Sequence, residues 1–182
     1  ERRHVVLYAI TAALALSEGV YDLVFAIMAY SVSGHASSVA ATYAVGYVAE
    51  IAVTILGAGF LDYFDKRKLF TRAQYVKIAL FGSFVALGAA APLSGPAIWS
   101  YAFAIDLVHH YSRLAIFALI TALFDKRELP AIQAVNGVLG GITQIASPLV
   151  GALAIGLFGT TSALGVSVAL QPAGDVAGGG AS

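Results

Sequence analysis

Residues 5–32 read VVLYAITAALALSEGVYDLVFAIMAYSV. Crossing the hydrocarbon takes about 20 apolar residues in a helix, and this run exceeds that. It is also too long for the apolar core of a signal peptide, although Arg2 and Arg3 precede it. It therefore reads as a retained transmembrane helix, with Glu18 and Asp22 near its centre. Composition agrees. Of the 182 residues, 59% are hydrophobic and only 11% are charged, where a soluble domain carries about 25% charged residues. Mean hydropathy is +0.85. Too little polar surface remains to cover a water-exposed globule.

Further stretches of the same kind follow at 37–61, 71–91, 97–124 and 131–158, with a sixth at 160–171 of about half the spanning length. The fold expected is an all-α, polytopic transmembrane helical bundle over 1–171, with five clear spans and a short sixth. A flexible Gly/Ala-rich tail is expected over 172–182. The connections at 33–36 and 92–96 hold no Lys or Arg, whereas 62–70 holds Lys66, Arg67 and Lys68, with Arg72 and Lys77 just beyond, and 125–130 holds Lys126 and Arg127. Counting Arg2 and Arg3, nine of the ten basic residues then fall at alternate ends of successive spans. The positive-inside rule puts the N-terminus and both basic loops in the cytoplasm, and a bacterial inner membrane is the expected location. No tandem repeat is visible, though two inverted helix triplets are compatible with the pattern.

Other classes fall away. A formal net charge of zero gives no basic face for nucleic acid. Without cysteine there are no disulfides, thiol nucleophiles or Cys-ligated zinc. No nucleophile elbow, His-Glu-x-x-His or phosphate-binding glycine loop occurs. Neither enzymatic activity nor a cofactor is expected.

The tenth basic residue, Arg113, falls inside the fourth span, together with Asp106, His109 and His110, and Glu50 falls in the second. A charge at bilayer depth costs about 2.5–3.5 kcal/mol on insertion scales, so such residues face a bundle interior or a wet cavity. Glu18 and Asp22 are four apart, and Asp106, His109, His110 and Arg113 are three, four and seven apart, so each set shares a helix face. Four acids against one arginine must be protonated, or paired with His⁺, a substrate cation or a metal. Three chemistries fit: a carboxylate among Glu18, Asp22 and Glu50 that loads and releases H⁺, recognition of a cationic substrate, or passage of a divalent metal with Asp106, His109 and His110 as candidate ligands. The bland readings are an Asp106–Arg113 structural pair, Glu50 as an interhelical clamp, and one histidine packed between helices, since neighbours point about 100° apart.

Small residues at Gly137, Gly140, Gly141, Ser147 and Gly151 mark the fifth span as a close-packing helix, with Pro148 as a kink. Asn136, Thr143 and Gln144 either line a path or bond across helices. Tyr8, Tyr43, Tyr47, Trp99 and Tyr101 fit an interfacial aromatic belt.

Residues 57–69, GAGFLDYFDKRKL, resemble the signature loop between helices two and three of the major facilitator superfamily. Asp62 holds the acidic position, Asp65 the variant position, and Lys66 and Arg67 the basic pair. Arg127-Glu128-Leu129-Pro130, followed by Pro148 and Gly151, looks like a second pattern of the branch that includes siderophore and drug efflux carriers. Ala58, Tyr63, Gln133 and Ser147 depart from these patterns. The first loop is also similar to that of ferroportin-type metal exporters. The resemblance covers roughly 5–158 and implies the N-terminal six-helix half of a secondary transporter working by alternating access, with Asp62, Asp65, Lys66 and Arg67 as a cytoplasmic gating loop. It implies as partners the lipid bilayer and a second six-helix half, from the same polypeptide or a homodimer. The other expectation is a non-transporting subunit or assembly factor of a larger membrane complex.

Overall fold

The computed structural model describes residues 2–61 and 65–170. Asp62 and the expected tail at 172–182 lie outside these. Six helices follow in order: α1 (Arg2–Ser33), α2 (Ala36–Leu61), α3 (Lys66–Ala90), α4 (Gly95–Leu123), α5 (Leu129–Phe158) and α6 (Thr160–Ala169). There is no strand among the described residues. Five helices are long and apolar enough to cross a membrane, His4–Ser33, Ala36–Gly57, Lys66–Ala90, Gly95–Leu123 and Leu129–Phe158, and α6 is not. The protein is a transmembrane helical bundle.

Local chemistry sets the joints. Gly34 adopts φ 70°, and its N–H donates to the Tyr30 carbonyl at 2.7 Å, the left-handed cap that ends a helix. Gly159 does the same between α5 and α6, with φ 80° and its N–H on the Ile155 carbonyl at 2.9 Å. Proline opens both α4 and α5, where its missing N–H goes unused. Helix α3 begins five residues before the apolar run at 71. Asp65 accounts for this as an N-cap, its carboxylate accepting from the N–H of Arg67 at 3.0 Å and Lys68 at 3.4 Å. The basic turn expected as loop is therefore the first turn of a helix.

Helix α1 is the central element. It packs most extensively on α5 and also on α6, while α4 packs on α2 and α3. Exchanging α1 with α4, α2 with α5 and α3 with α6 converts α1–α5 into α4–α2, and α3–α4 into α6–α1. The four most extensive pairings thus form two equivalent sets, the pattern of two triplets related by a twofold axis. The Ser17 hydroxyl donates to the Ser167 carbonyl at 3.0 Å and ties α6 to α1.

The core is split. One apolar cluster gathers Tyr21, Phe25, Phe81, Phe84, Ile105 and Leu164, and the other Leu7, Leu14, Phe70, Ile116, Ile120 and Ile132. On α1, α3 and α4 the two clusters are separated by about two to three turns, and those turns carry Glu18, Lys77, Asp106, His109, His110 and Arg113.

The small residues of α5 divide in a way the sequence did not foretell. A Cβ at Gly151 would lie 2.9 Å from Leu23 Cδ2, and one at Gly19 would overlap the Ser147 side chain. These are the close approaches of α1 and α5. Around Gly137, Gly140 and Gly141 nothing among the described residues lies within 4 Å of an added Cβ, so the expected close packing is not seen there among them. Overpacking a helix contact costs about 1–3 kcal/mol. Gly19→Val should therefore lower stability by about that much, whereas Gly137→Ala should stay within about 0.5 kcal/mol. Helix-band circular dichroism during thermal unfolding in detergent measures both.

Candidate functional site: an acidic cavity backed by a buried lysine

Between α1, α2, α4 and α5 lies a half-open cavity of about 740 Å³. Its wall includes Glu18 and Asp22 from α1, Glu50 from α2, and Asp106, His109, His110 and Arg113 from α4. The structure thus brings all seven intramembrane candidates to one space. Helices α3 and α6 stand behind it and contribute no lining residue.

The partners of these groups differ from those expected. Arg113 does not pair with Asp106. Its Nη1 lies 3.7 Å from Glu18 Oε1, because Arg113 sits about two turns along α4, near the level of Glu18. Glu18 Oε2 lies 3.1 Å from His109 Nε2, not ideally in line for a hydrogen bond. One carboxylate therefore faces two α4 side chains. Glu50 makes no ion pair among the described residues and is exposed on the cavity wall, so it clamps nothing here. The two histidines split as their angular offset requires. His109 is completely buried between helices, while His110 stays half-buried beside it, ring centroids 5.7 Å apart.

The decisive residue is one the sequence reading placed elsewhere. Lys77 was grouped with the basic loop before it, but it lies a full three turns inside α3 and its side chain is completely buried. Lys77 Nζ is 3.0 Å from His109 Nδ1, and 5.8 Å from the centroid of the Tyr21 ring, within reach of a cation–π attraction. Glu18, Asp22 and Asp106 are all within electrostatic reach of it. The balance changes accordingly: four acids face Arg113 and Lys77, an excess of two rather than three. Counting turns from the Asp65 cap would have found Lys77, since eleven residues at about 1.5 Å each place it near mid-membrane.

Asp106 is largely buried in the cavity wall beside the Tyr21 hydroxyl. It presses against α2 at Gly46, where a Cβ would stand 2.8 Å from Oδ2, so a glycine is what admits the carboxylate. On α5, Asn136, Thr143 and Gln144 line the cavity. Thr143 turns its hydroxyl to the Leu139 and Gly140 carbonyls of its own helix, at 2.9 and 3.0 Å, and among the described residues bonds to no other helix. Tyr43 and Tyr47 line the cavity too, and Tyr101 packs on Phe84. Among the described residues no three His, Asp or Glu side chains converge as a metal-ligand set. In the stretch expected to act as a gating loop, Asp65 serves as the α3 cap and lies 4.0 Å from Lys68 Nζ.

Fold and site together define an α-helical membrane protein with an acidic cavity at mid-bundle. No protein-family model matches the sequence, and no curated protein or solved structure is similar to it.

The contacts rank the acids. Glu18→Gln strips the buried His109 of its anionic partner and should cost about 1–3 kcal/mol. Glu50→Gln removes no close partner and should cost under about 0.5 kcal/mol. Chemical denaturation of the two variants in detergent, followed through Trp99 fluorescence, checks the order.

Proposed function

We propose that the chain is one half of a secondary active transporter that moves a small cation or cationic molecule by alternating access, coupled to protons. One observation carries this reading: four carboxylates border a single mid-bundle cavity and only Arg113 and Lys77 stand against them. An uncompensated negative site at bilayer depth is costly unless something positive occupies it. A proton and a substrate cation are the two occupants that exchange readily, and their competition for the same carboxylates is the simplest basis for coupling.

The architecture supports the same reading. Cavity-lining α1, α2, α4 and α5, supporting α3 and α6, and the two equivalent sets of pairings fit a pair of inverted triplets around a central substrate site. They also fit the major facilitator resemblance of the 57–69 loop. On this reading a second six-helix half, from the same polypeptide or a second copy, closes the open side. The basic loops face the cytoplasm of a bacterial cell, and efflux is the direction the resemblance favours. The short α6 favours the other reading, a non-transporting subunit of a larger membrane complex.

Proteoliposomes holding the protein under a pH gradient, supplied with labelled tetraphenylphosphonium or methylammonium, test this. Uptake should follow the gradient, and Glu18→Gln with Asp22→Asn should reduce it by at least about tenfold. Equal flux in the double variant would remove these two acids from the site. Absent flux, with stable co-purification of other membrane subunits, would select the subunit reading.

A further inference from the structure

From behind the cavity wall to the cavity runs a row of three groups: Lys77 Nζ, then His109 Nδ1 at 3.0 Å, then, from the far side of the same ring, Nε2 to Glu18 Oε2 at 3.1 Å. An ammonium has three donors and no acceptor, so the ring nitrogen facing it must accept. A neutral His109 then carries its hydrogen on Nε2, directed at the carboxylate. Lys77 fixes the tautomer, and the tautomer aims the proton.

The surroundings make this row a channel with one end. Lys77 and His109 are both wholly buried; the His109 ring and Glu18 border the cavity, and Lys77 alone of the three does not. The titratable groups around Lys77 are Glu18, Tyr21 and Asp22 from α1, and Asp106 and His109 from α4, with His110 and Arg113 further along α4 and Glu50 beyond them on α2. Helix α6 contributes no titratable side chain. One turn back on α3, Gln74 is buried with no hydrogen-bond partner for its amide among the described residues. Phe70, a turn further, belongs to the apolar cluster that closes that end.

We infer that Lys77, His109 and Glu18 form a proton relay in which Lys77 is a store whose exit leads through the His109 ring to the cavity carboxylate. In the step, an Nζ–H bond of Lys77 breaks as an Nδ1–H bond of His109 forms. The Nε2–H bond breaks as an O–H bond of Glu18 forms, with the ring swinging into line. Lys77 ends neutral, Glu18 ends as the acid, and His109 ends in its other tautomer. No proton enters or leaves the row, and two opposite buried charges cancel. Transfer back along the same path resets it; if the Glu18 proton leaves to the cavity instead, a proton taken up there by Glu18 must return through the ring to Lys77. Lys77 is a positioning residue here, acting on Glu18 through His109. On the transporter reading, a cation arriving beside Glu18 is thereby linked to departure of the Lys77 proton. The relay itself requires no transport.

Nitrogen-15 NMR of the full chain in lipid bilayers, with labelled histidine and lysine, tests the relay without a substrate. At neutral pH His109 should show one neutral tautomer, hydrogen on Nε2. Lys77→Met should mix the tautomers, while Lys77→Arg, a donor like lysine, should restore the single form. His109→Phe fills the ring's space without its nitrogens, and should slow hydrogen exchange at Lys77 Nζ by at least about tenfold. An unchanged tautomer in Lys77→Met, a doubly protonated His109 in the parent protein, or unslowed exchange in His109→Phe would overturn the relay. Because none of these measures flux, the relay and the transport proposal can fail separately.

Discussion

Lys77 is carried to mid-membrane by a helix that starts at the Asp65 cap, and once there its ammonium is wholly shut off from solvent. A buried ammonium with no partner is among the costliest groups a membrane protein can hold. The His109 ring meets it on one side and passes its influence to Glu18 on the other. Three helices, α3, α4 and α1, must therefore keep a common register for these groups to meet. A shift of one residue on any of them would rotate its member by about 100° out of the row.

The divided core follows from that requirement. Apolar clusters fill the bundle on either side of the polar layer, and each holds rings and branched chains from several helices. In lipid the hydrophobic effect gives little drive between helices, so packing and interhelical polar contacts must hold them. The layer supplies the polar contacts and the clusters supply the packing. Where α1 meets α5, Gly19 and Gly151 let the backbones approach instead.

Much of this was legible in the sequence, for definite reasons. The five spans follow from length and apolarity, and their ends agree with the helix ends within three residues except at α3, where a cap extended the helix into the basic loop. The convergence of Glu18, Asp22, Glu50, Asp106, His109, His110 and Arg113 was readable because charges in spans must face inward and helical spacing puts them on common faces. Their partners were not. Which acid Arg113 reaches depends on the relative heights of α1 and α4, and no single-helix pattern encodes that. Lys77 was lost because a charge count by loop treats proximity to a basic run as membership in it. The glycines of α5 read alike as small residues, yet only tertiary contact separates Gly151, which is filled by Leu23, from Gly137, which is not.

The asymmetry between the walls of the cavity and its contents has an electrical consequence. Aliphatic and aromatic layers above and below are poor screeners, so field lines from Glu18, Asp22, Glu50 and Asp106 leave through the open side rather than spreading through the bundle. An ionised carboxylate on this wall would draw mobile cations to the mouth, by an amount that shrinks as ionic strength shortens the screening length toward the width of the opening.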